Sequence, residues 1–393
     1  MSGVLDVARL RAETPGTAHC IHLNNAGAAL MPQPVIDAVQ EHVALEAHVG
    51  GHAAAARRKA ECEAVYASLA RLINAQPDEI AIMDSHTRAW QMAFYGLSFG
   101  EGDRILTSRA EYGANYVAFL QMRRRSGCVI EVIPDDGEGA SDPAALDRMI
   151  DGRVKLIAVT WLPTNGGLIN PAAEIGRVTR RHGIPYLLDA CQAVGQMPVD
   201  VAELGCDFLT GAGRKWLRGP RGTGFLYVKR EMLTRVEPAM LDHTGARWTG
   251  PDSFEMQPGA RRYEVFEHAP ALRLGLGKAV DYALEAGIEN IESAIRQFSS
   301  HLREELKKVV GVTVHDRGPE LSGLVTLSHR DVPADRLKSA LEGAGINASI
   351  SRPDGALLDA IDRELPDMLR LSPHCYNTWE ELEAALRAIR EAG

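Results

Sequence analysis

The sequence predicts an α/β protein: a large, doubly wound, mostly parallel sheet followed by a smaller α+β domain. Three observations predict it. Between residues 79 and 228, short apolar runs alternate with segments of helical periodicity. Each run ends in a polar or glycine-bearing loop, the arrangement that gathers sites at the carboxyl ends of parallel strands. Past residue 271, two helical segments give way to short apolar runs around one more helix. With 393 residues the chain has room for two cores. The expected division is an N-terminal arm over residues 1–22 that packs on the small domain, a large domain over 23–270, and a bridging helix with the small domain over 271–393.

Composition narrows the function. Hydrophobic residues make up 45% of the chain, as in ordinary globular proteins. A formal net charge of -9 argues against nucleic acid and anionic membrane as partners. The 6 cysteines, at positions 20, 62, 128, 191, 206 and 375, show no CxxC pair and no metal-ligand spacing. No metal is expected, and a reduced, cytoplasmic compartment fits best. No apolar run approaches the ~20 residues of a membrane span. The first residues lack the charged-then-apolar order of a signal peptide.

In chain order, a short strand ends in Asn24-Asn-Ala-Gly27, a polar turn before a helix from Val35 to about Val49. Gly50-Gly51 breaks that helix, and a second amphipathic helix runs from about Arg57 to Asn74. Glu79–Met83 reads as a strand, and Ala89 to Leu97 as a helix. Between them, Asp84-Ser-His-Thr-Arg88 sets free N–H groups at a helix start, which suits an anion, with Ser85 or Thr87 as cap; a plain Ser/Thr cap is the commoner reading. Asp103–Thr107 is the next strand, ending at Ser108-Arg-Ala-Glu-Tyr112 ahead of a helix. Cys128–Ile133 and Val154–Thr160 follow as strands, the second leading into Trp161-Leu-Pro-Thr-Asn165. Ile184–Asp189 is an apolar strand closed by an aspartate, which is costly to bury unless a cation pairs with it. Residues 240–270 read as irregular and charged. Ala271–Ala286 and Ile288–Val310 are helical. Val312–His315, Leu324–Ser328 and Ile346–Ile350 are strands, with a helix near Ala334–Ala344.

One stretch organises the rest. Thr210-Gly-Ala-Gly-Arg-Lys215-Trp-Leu-Arg-Gly-Pro-Arg-Gly-Thr-Gly224 holds a single lysine among small residues. A lysine amine becomes a nucleophile when neighbouring cations and desolvation free its lone pair. Arg214, Arg218 and Arg221 are the nearby cations. Alone, the stretch reads equally as a basic turn before a strand. Gly222-Thr-Gly224 leads into a strand and not a helix, so a nicotinamide-dependent dehydrogenase ranks low.

With Asp189 ahead of Lys215 and Gly219-Pro-Arg-Gly-Thr-Gly224 behind it, the chain resembles the class V aminotransferase group of pyridoxal phosphate enzymes, from Leu23 to Trp379. That group includes cysteine desulfurases, C–S lyases and isopenicillin N epimerases. The resemblance implies fold type I, pyridoxal 5'-phosphate as cofactor, an amino-acid substrate and a homodimer. It implies Lys215 as the Schiff-base lysine and Asp189 as partner of the cofactor's ring nitrogen, with Gln192 close by. His86, Thr87 and Arg88 would form the phosphate cup, joined by Arg214. Tyr112 would stack on the ring, where desulfurases usually have histidine, and Asn165 would contact cofactor or substrate. Arg370 would fork the substrate α-carboxylate, beside Asn25, Ala26 and Gly27. Thr244, Arg261 and Arg262 would help complete the partner subunit's site.

Two departures set the expected chemistry. Ser349–Asp359, where desulfurases carry their persulfide cysteine, has none. Arg214 stands where they have histidine, and an extra residue precedes Gly219-Pro220. The expected reaction is C–S lysis: β-elimination from cysteine, a cysteine conjugate or a sulfoxide, giving pyruvate, ammonia and a sulfur product. An epimerase or aminotransferase outcome uses the same residues and stays open. A non-catalytic binding protein of this fold is the third reading.

Overall fold

A computed structural model describes residues 5–393, so the first four residues of the expected N-terminal arm lie outside the described residues. At its centre is a 7-stranded sheet in the order Ile80–Met83, Gly224–Val228, Phe208–Ala212, Tyr186–Asp189, Val154–Thr160, Arg104–Thr107, Val129–Val132. Only Gly224–Val228 runs against its neighbours. Near-continuous apolar runs such as Val154-Lys-Leu-Ile-Ala-Val-Thr160 suit this sheet, because its central strands are covered on both faces. The alternation of side chains along each strand feeds two cores. Leu188 and Leu209 pack on one face with Leu69 and Trp216; Leu187 and Phe208 pack on the other with Trp90 and Phe119. Each such buried side chain contributes roughly 1.5–3 kcal/mol. The carboxyl ends of six strands are thereby fixed along one edge, and the loops that leave them share that edge.

A 4-stranded antiparallel sheet follows in the C-terminal part, ordered Val312–Val314, Val325–His329, Met368–Leu371, Ser349–Ser351. Leu302, Leu337 and Leu386, from three helices, pack against it. The strand expected over Ile346–Ile350 is in fact divided. Ile346–Asn347 pairs with Ile21–His22, and after Ala348 the chain joins the 4-stranded sheet. The N-terminal segment is tied to the same region by an Arg11–Glu381 ion pair of 2.8 Å.

Two further segments depart from expectation. Gly50, at φ 84, ends the first long helix, but a separate short helix, Gly51–Arg57, starts at once. The segment over 240–270 is not wholly irregular. It holds a hairpin, Ala246–Gly250 with Ser253–Met256, and a 3-10 turn, Ala260–Tyr263. Both hairpin strands are largely exposed, so no in–out alternation marked them in the sequence. Among the described residues no helix is long and apolar enough to cross a membrane.

Candidate active site

The Phe208–Ala212 strand delivers Lys215 through Gly213 and Arg214. The Arg218 N–H closes the turn by donating to the Lys215 carbonyl at 2.8 Å. Lys215 is half-buried. The other expected cations do not crowd it. Arg218, at φ 62, folds away to donate to the Leu30 carbonyl and the Thr14 hydroxyl and to stack on Tyr376. Arg221 is exposed.

Asp189 closes the neighbouring strand and is buried. Its Oδ1 accepts from the Cys191 N–H at 2.9 Å, and its Oδ2 from Asn115 Nδ2 at 2.8 Å. His86 Nε2 lies 2.8 Å from the same Oδ1, at ion-pair distance but out of line for a hydrogen bond. Burial, the largest single influence, would raise the Asp189 carboxyl, but the His86 charge together with the hydrogen bonds from Cys191 and Asn115 holds it below the ordinary value. In the reverse sense, burial opposes the imidazolium of His86, and Asp189 and Cys191 together overcome it and raise His86. Cys191 completes the cluster: the donor atoms of the three residues all lie within 4.8 Å of one another. Burial works against its thiolate, yet the charges of His86 and then Lys215 hold the thiol below its usual value.

The His86 side chain, expected in a phosphate cup, is therefore turned to Asp189. Its backbone remains at the helix start. Ser85 Oγ caps His86–Tyr95 by accepting from the Arg88 N–H at 3.1 Å, which leaves the His86 and Thr87 N–H groups without an acceptor among the described residues. A Cβ on Gly224 would lie 2.6 Å from the His86 nitrogen, so glycine there lets the strand and the helix start meet. Thr87 and Arg88 are exposed at this corner.

Tyr112 begins the Gly113–Ser126 helix; its N–H donates to Glu111 Oε1 at 3.1 Å and Thr160 Oγ1 at 3.2 Å. Burial, then the charges of Cys191 and Asp189, raise its hydroxyl. Glu111 is buried beneath it and accepts from Thr160, Asn115 and Thr107. Burial nevertheless lifts its carboxyl to about 6.

Arg370 approaches from the C-terminal sheet. Its Nη1 donates to the Thr164 hydroxyl at 2.8 Å and the Thr164 carbonyl at 3.2 Å. Its Nε is buried without a partner. Burial, then the positive charge of Arg214, lower the guanidinium to about 10. Arg214 itself donates to the Gly27 carbonyl and not to the helix start expected to hold phosphate. The turn that carries Gly27 is fastened two residues past Arg370: Asn25 Nδ2 donates to the Ser372 carbonyl at 2.7 Å, and the Ala26 N–H to Ser372 Oγ at 3.0 Å.

Several residues expected at the ligand are engaged within the protein. Asn25 Oδ1 accepts from the Tyr376 hydroxyl at 2.5 Å. Gln192 donates to the Ala26 carbonyl at 3.1 Å and accepts from Trp216 Nε1 at 2.8 Å. Asn165 donates to the Arg352 carbonyl at 2.8 Å and accepts from Ser351 Oγ at 3.2 Å. A Cβ on Gly355 would lie 2.7 Å from Asn165 Oδ1, so this amide anchors the loop over 351–356. The arginines expected to serve a partner subunit are also committed to their own chain. Arg261 pairs with Glu63 at 2.6 Å and lies 3.7 Å over the Tyr66 ring, and Arg262 donates to the Leu233 carbonyl at 2.7 Å. The Thr244 N–H donates to Asp242 Oδ1 at 2.7 Å, beside the hairpin.

The sequence reading missed Glu111, Asn115, Thr164 and Cys191. The i, i+4 spacing of Glu111 and Asn115 at a helix start was a usable signal. Nothing local linked either residue to Asp189. Taken together, an anionic carboxylate, two free N–H groups at a helix start and a half-buried lysine suit a ligand with a protonated ring nitrogen, a phosphate and an aldehyde. That is the donor set pyridoxal 5'-phosphate requires.

Comparison with known proteins agrees. The family model Aminotransferase class-V matches residues 21–385. A probable cysteine desulfurase of Xylella fastidiosa (strain 9a5c) is 30% identical over 404 residues, covering 98% of this chain and 95% of the relative. One from Methanothermobacter thermautotrophicus is 27% identical, covering 97% of each chain. Among solved structures, a cysteine desulfurase of Escherichia coli superposes with a TM-score of 0.91 at 25% identity, covering 99% of both chains. The apo structure of a cysteine desulfurase from Thermococcus onnurineus NA1 superposes with a TM-score of 0.92 at 24% identity, covering 99% of this chain and 98% of the other.

Proposed function

The chain belongs to the class V aminotransferase family and takes pyridoxal 5'-phosphate as cofactor, and on that premise we propose that it is a C–S lyase acting on cysteine or a cysteine conjugate. The observation that carries the amino-acid part is Arg370, a buried guanidinium with an unpartnered Nε and no acid within ion-pair distance among the described residues. Such a cation has no anion of its own chain to pair with, and a substrate α-carboxylate would complete it with a two-point fork. The lyase part rests on the loop over 351–356. It is anchored by Asn165, and it carries no thiol to accept sulfur. Cys375, past Arg370, is fully enclosed, and burial pushes its thiol up to about 11.

In this reading Asp189 holds the positive charge at the ring nitrogen, and the His86 and Thr87 N–H groups hold the phosphate. Tyr112 covers the ring. Once bound, the cofactor supplies an electron sink for charge developing at Cα. Arg370 orients the substrate so that its Cα–H faces Lys215, which takes that proton as general base. The Cβ–S bond breaks, its electron pair leaves with sulfur, and water hydrolyses the remainder to pyruvate and ammonia. The test is pyruvate release from cysteine, cystine, S-conjugates and sulfoxides; full activity in Lys215→Ala would refute the assignment. Epimerisation or transamination is the second reading, favoured if deuterium enters Cα without pyruvate.

The same reading includes a homodimer in the cytoplasm. Trp248 and Phe254 on the hairpin are 78% and 54% exposed, and Val265 and Phe266 are exposed nearby. A partner subunit would cover that apolar surface.

A further inference from the structure

His86 carries more than its expected place in a phosphate cup explains. It is the first residue of its helix, and its side chain is buried against the end of another strand. Three residues of the chain hold the Asp189 carboxylate. Cys191 N–H and Asn115 Nδ2 each give the carboxylate one aligned hydrogen bond, and His86 Nε2 adds a 2.8 Å contact that is out of line for one. A histidine that only filled space would keep both nitrogens on neutral partners. Here one nitrogen faces a carboxylate with no water access, a position that favours a charged imidazole. The titratable and charged groups around it are Asp189 and Cys191 on the turn after their strand, Lys215 on the next loop, Tyr112, and Glu111 through the Asn115 amide.

We propose that His86 is a positioning residue for the cofactor ring: its imidazolium, set between Asp189 and Cys191, fixes the Asp189 carboxylate as an anion facing the ring nitrogen and places a constant positive charge beside the cofactor. The backbone and side chain of one residue would then serve both ends of the ligand. Its N–H meets the phosphate, and its ring holds the partner of the pyridine nitrogen. The inference rests on Asp189 as the ring's partner, as proposed above.

The test uses holoenzyme and reads the pH midpoint of the cofactor's visible absorption, which does not depend on turnover. The protonated chromophore is a cation, so removing a like charge beside it raises that midpoint. At an effective dielectric near 20 and a separation of several ångströms, the shift is about one pH unit or more. His86→Gln, which donates but carries no charge, is expected to move the midpoint up, and His86→Lys to restore it. An unmoved midpoint in folded His86→Gln, or an equal shift in both variants, overturns the proposal. If His86→Gln does not retain cofactor, imidazole proton resonances of the native apoprotein decide. A His86 signal that stays charged above pH 8 supports the proposal, and one that titrates near the ordinary histidine value of about 6.5 overturns it. Asp189→Asn separates the two levels of inference. If it too leaves the midpoint unmoved, the assignment of Asp189 fails; if it moves the midpoint while His86→Gln does not, only the role of His86 fails.

Discussion

Replacing Arg370 by methionine should leave the protein at least as stable while removing its grip on substrate. The side chain is enclosed, and among the described residues its only protein acceptors are the two oxygens of Thr164. Burial and Arg214 lower its guanidinium from the ordinary arginine value to about 10, which corresponds to about 3 kcal/mol withheld from the charged form. Methionine fills a similar volume without that penalty, and replacing buried charge by apolar volume is often neutral or stabilising by about 1–4 kcal/mol. Against this stand the two hydrogen bonds to Thr164, a net contribution of about 1 kcal/mol each. Unfolding by denaturant, on apo- and holoprotein, is therefore expected to show a midpoint unchanged or higher. In the same variant the lost charge-assisted fork, at about 1.5–3 kcal/mol per hydrogen bond, should lower kcat/KM by two orders of magnitude or more. The cofactor's absorption should be retained. A clear loss of stability with kcat/KM unchanged would refute the reasoning, because Arg370 would then be a structural residue.

Other perturbations test neighbouring parts of the site. Glu111 has its folded value raised from 4.5 to about 6, so its favourable contribution is fully present below about 4.5 and is lost as pH rises through 6, a change of about 2 kcal/mol. Denaturant midpoints measured from pH 4.5 to 7 should carry that slope in the native protein and lack it in Glu111→Gln. Asn165→Ala removes one of two partners from each of Ser351 Oγ, which keeps the Thr164 carbonyl, and the Arg352 carbonyl, which keeps the Gly355 N–H, at about 1 kcal/mol per lost hydrogen bond. Faster hydrogen exchange confined to 351–356 is the expected sign, and unchanged exchange there would contradict it. Gly113→Ala would set a Cβ 2.5 Å from the Asp354 carbonyl oxygen, so the 353–356 turn must move. A loss of about 1–3 kcal/mol and a raised KM are expected.

What the sequence made legible follows from local pattern. Strands over Ile80–Met83, Arg104–Thr107, Val154–Thr160 and Tyr186–Asp189 each announced themselves as apolar runs ending in polar loops, and their order implied a shared edge. Lys215, Asp189 and Tyr112 could be expected to meet there for that reason alone. Side-chain direction was not legible. His86 sits within a Ser-His-Thr turn that suggests an anion cup, yet its ring points across the sheet edge to Asp189. Asn25, Gln192 and Asn165 have the right chemistry for a ligand, but their acceptors and donors lie up to 351 residues away in the chain, where no spacing rule reaches. Arg218 looked like a neighbour of the lysine until its left-handed backbone carried it to Thr14 and Tyr376. The contacts that Arg261 and Arg262 make within their own chain were hidden in the same way: nothing local pointed to Glu63, Tyr66 or Leu233.

The central claim is sulfur elimination without a persulfide on the protein. The most direct measurement incubates holoenzyme with cysteine and with cysteine conjugates, counts pyruvate against released thiol or sulfide, and weighs the intact protein afterwards. One pyruvate per sulfur product, with no mass added to any cysteine, is the predicted result. Alanine in place of pyruvate, with a sulfur atom retained on the chain, would contradict it.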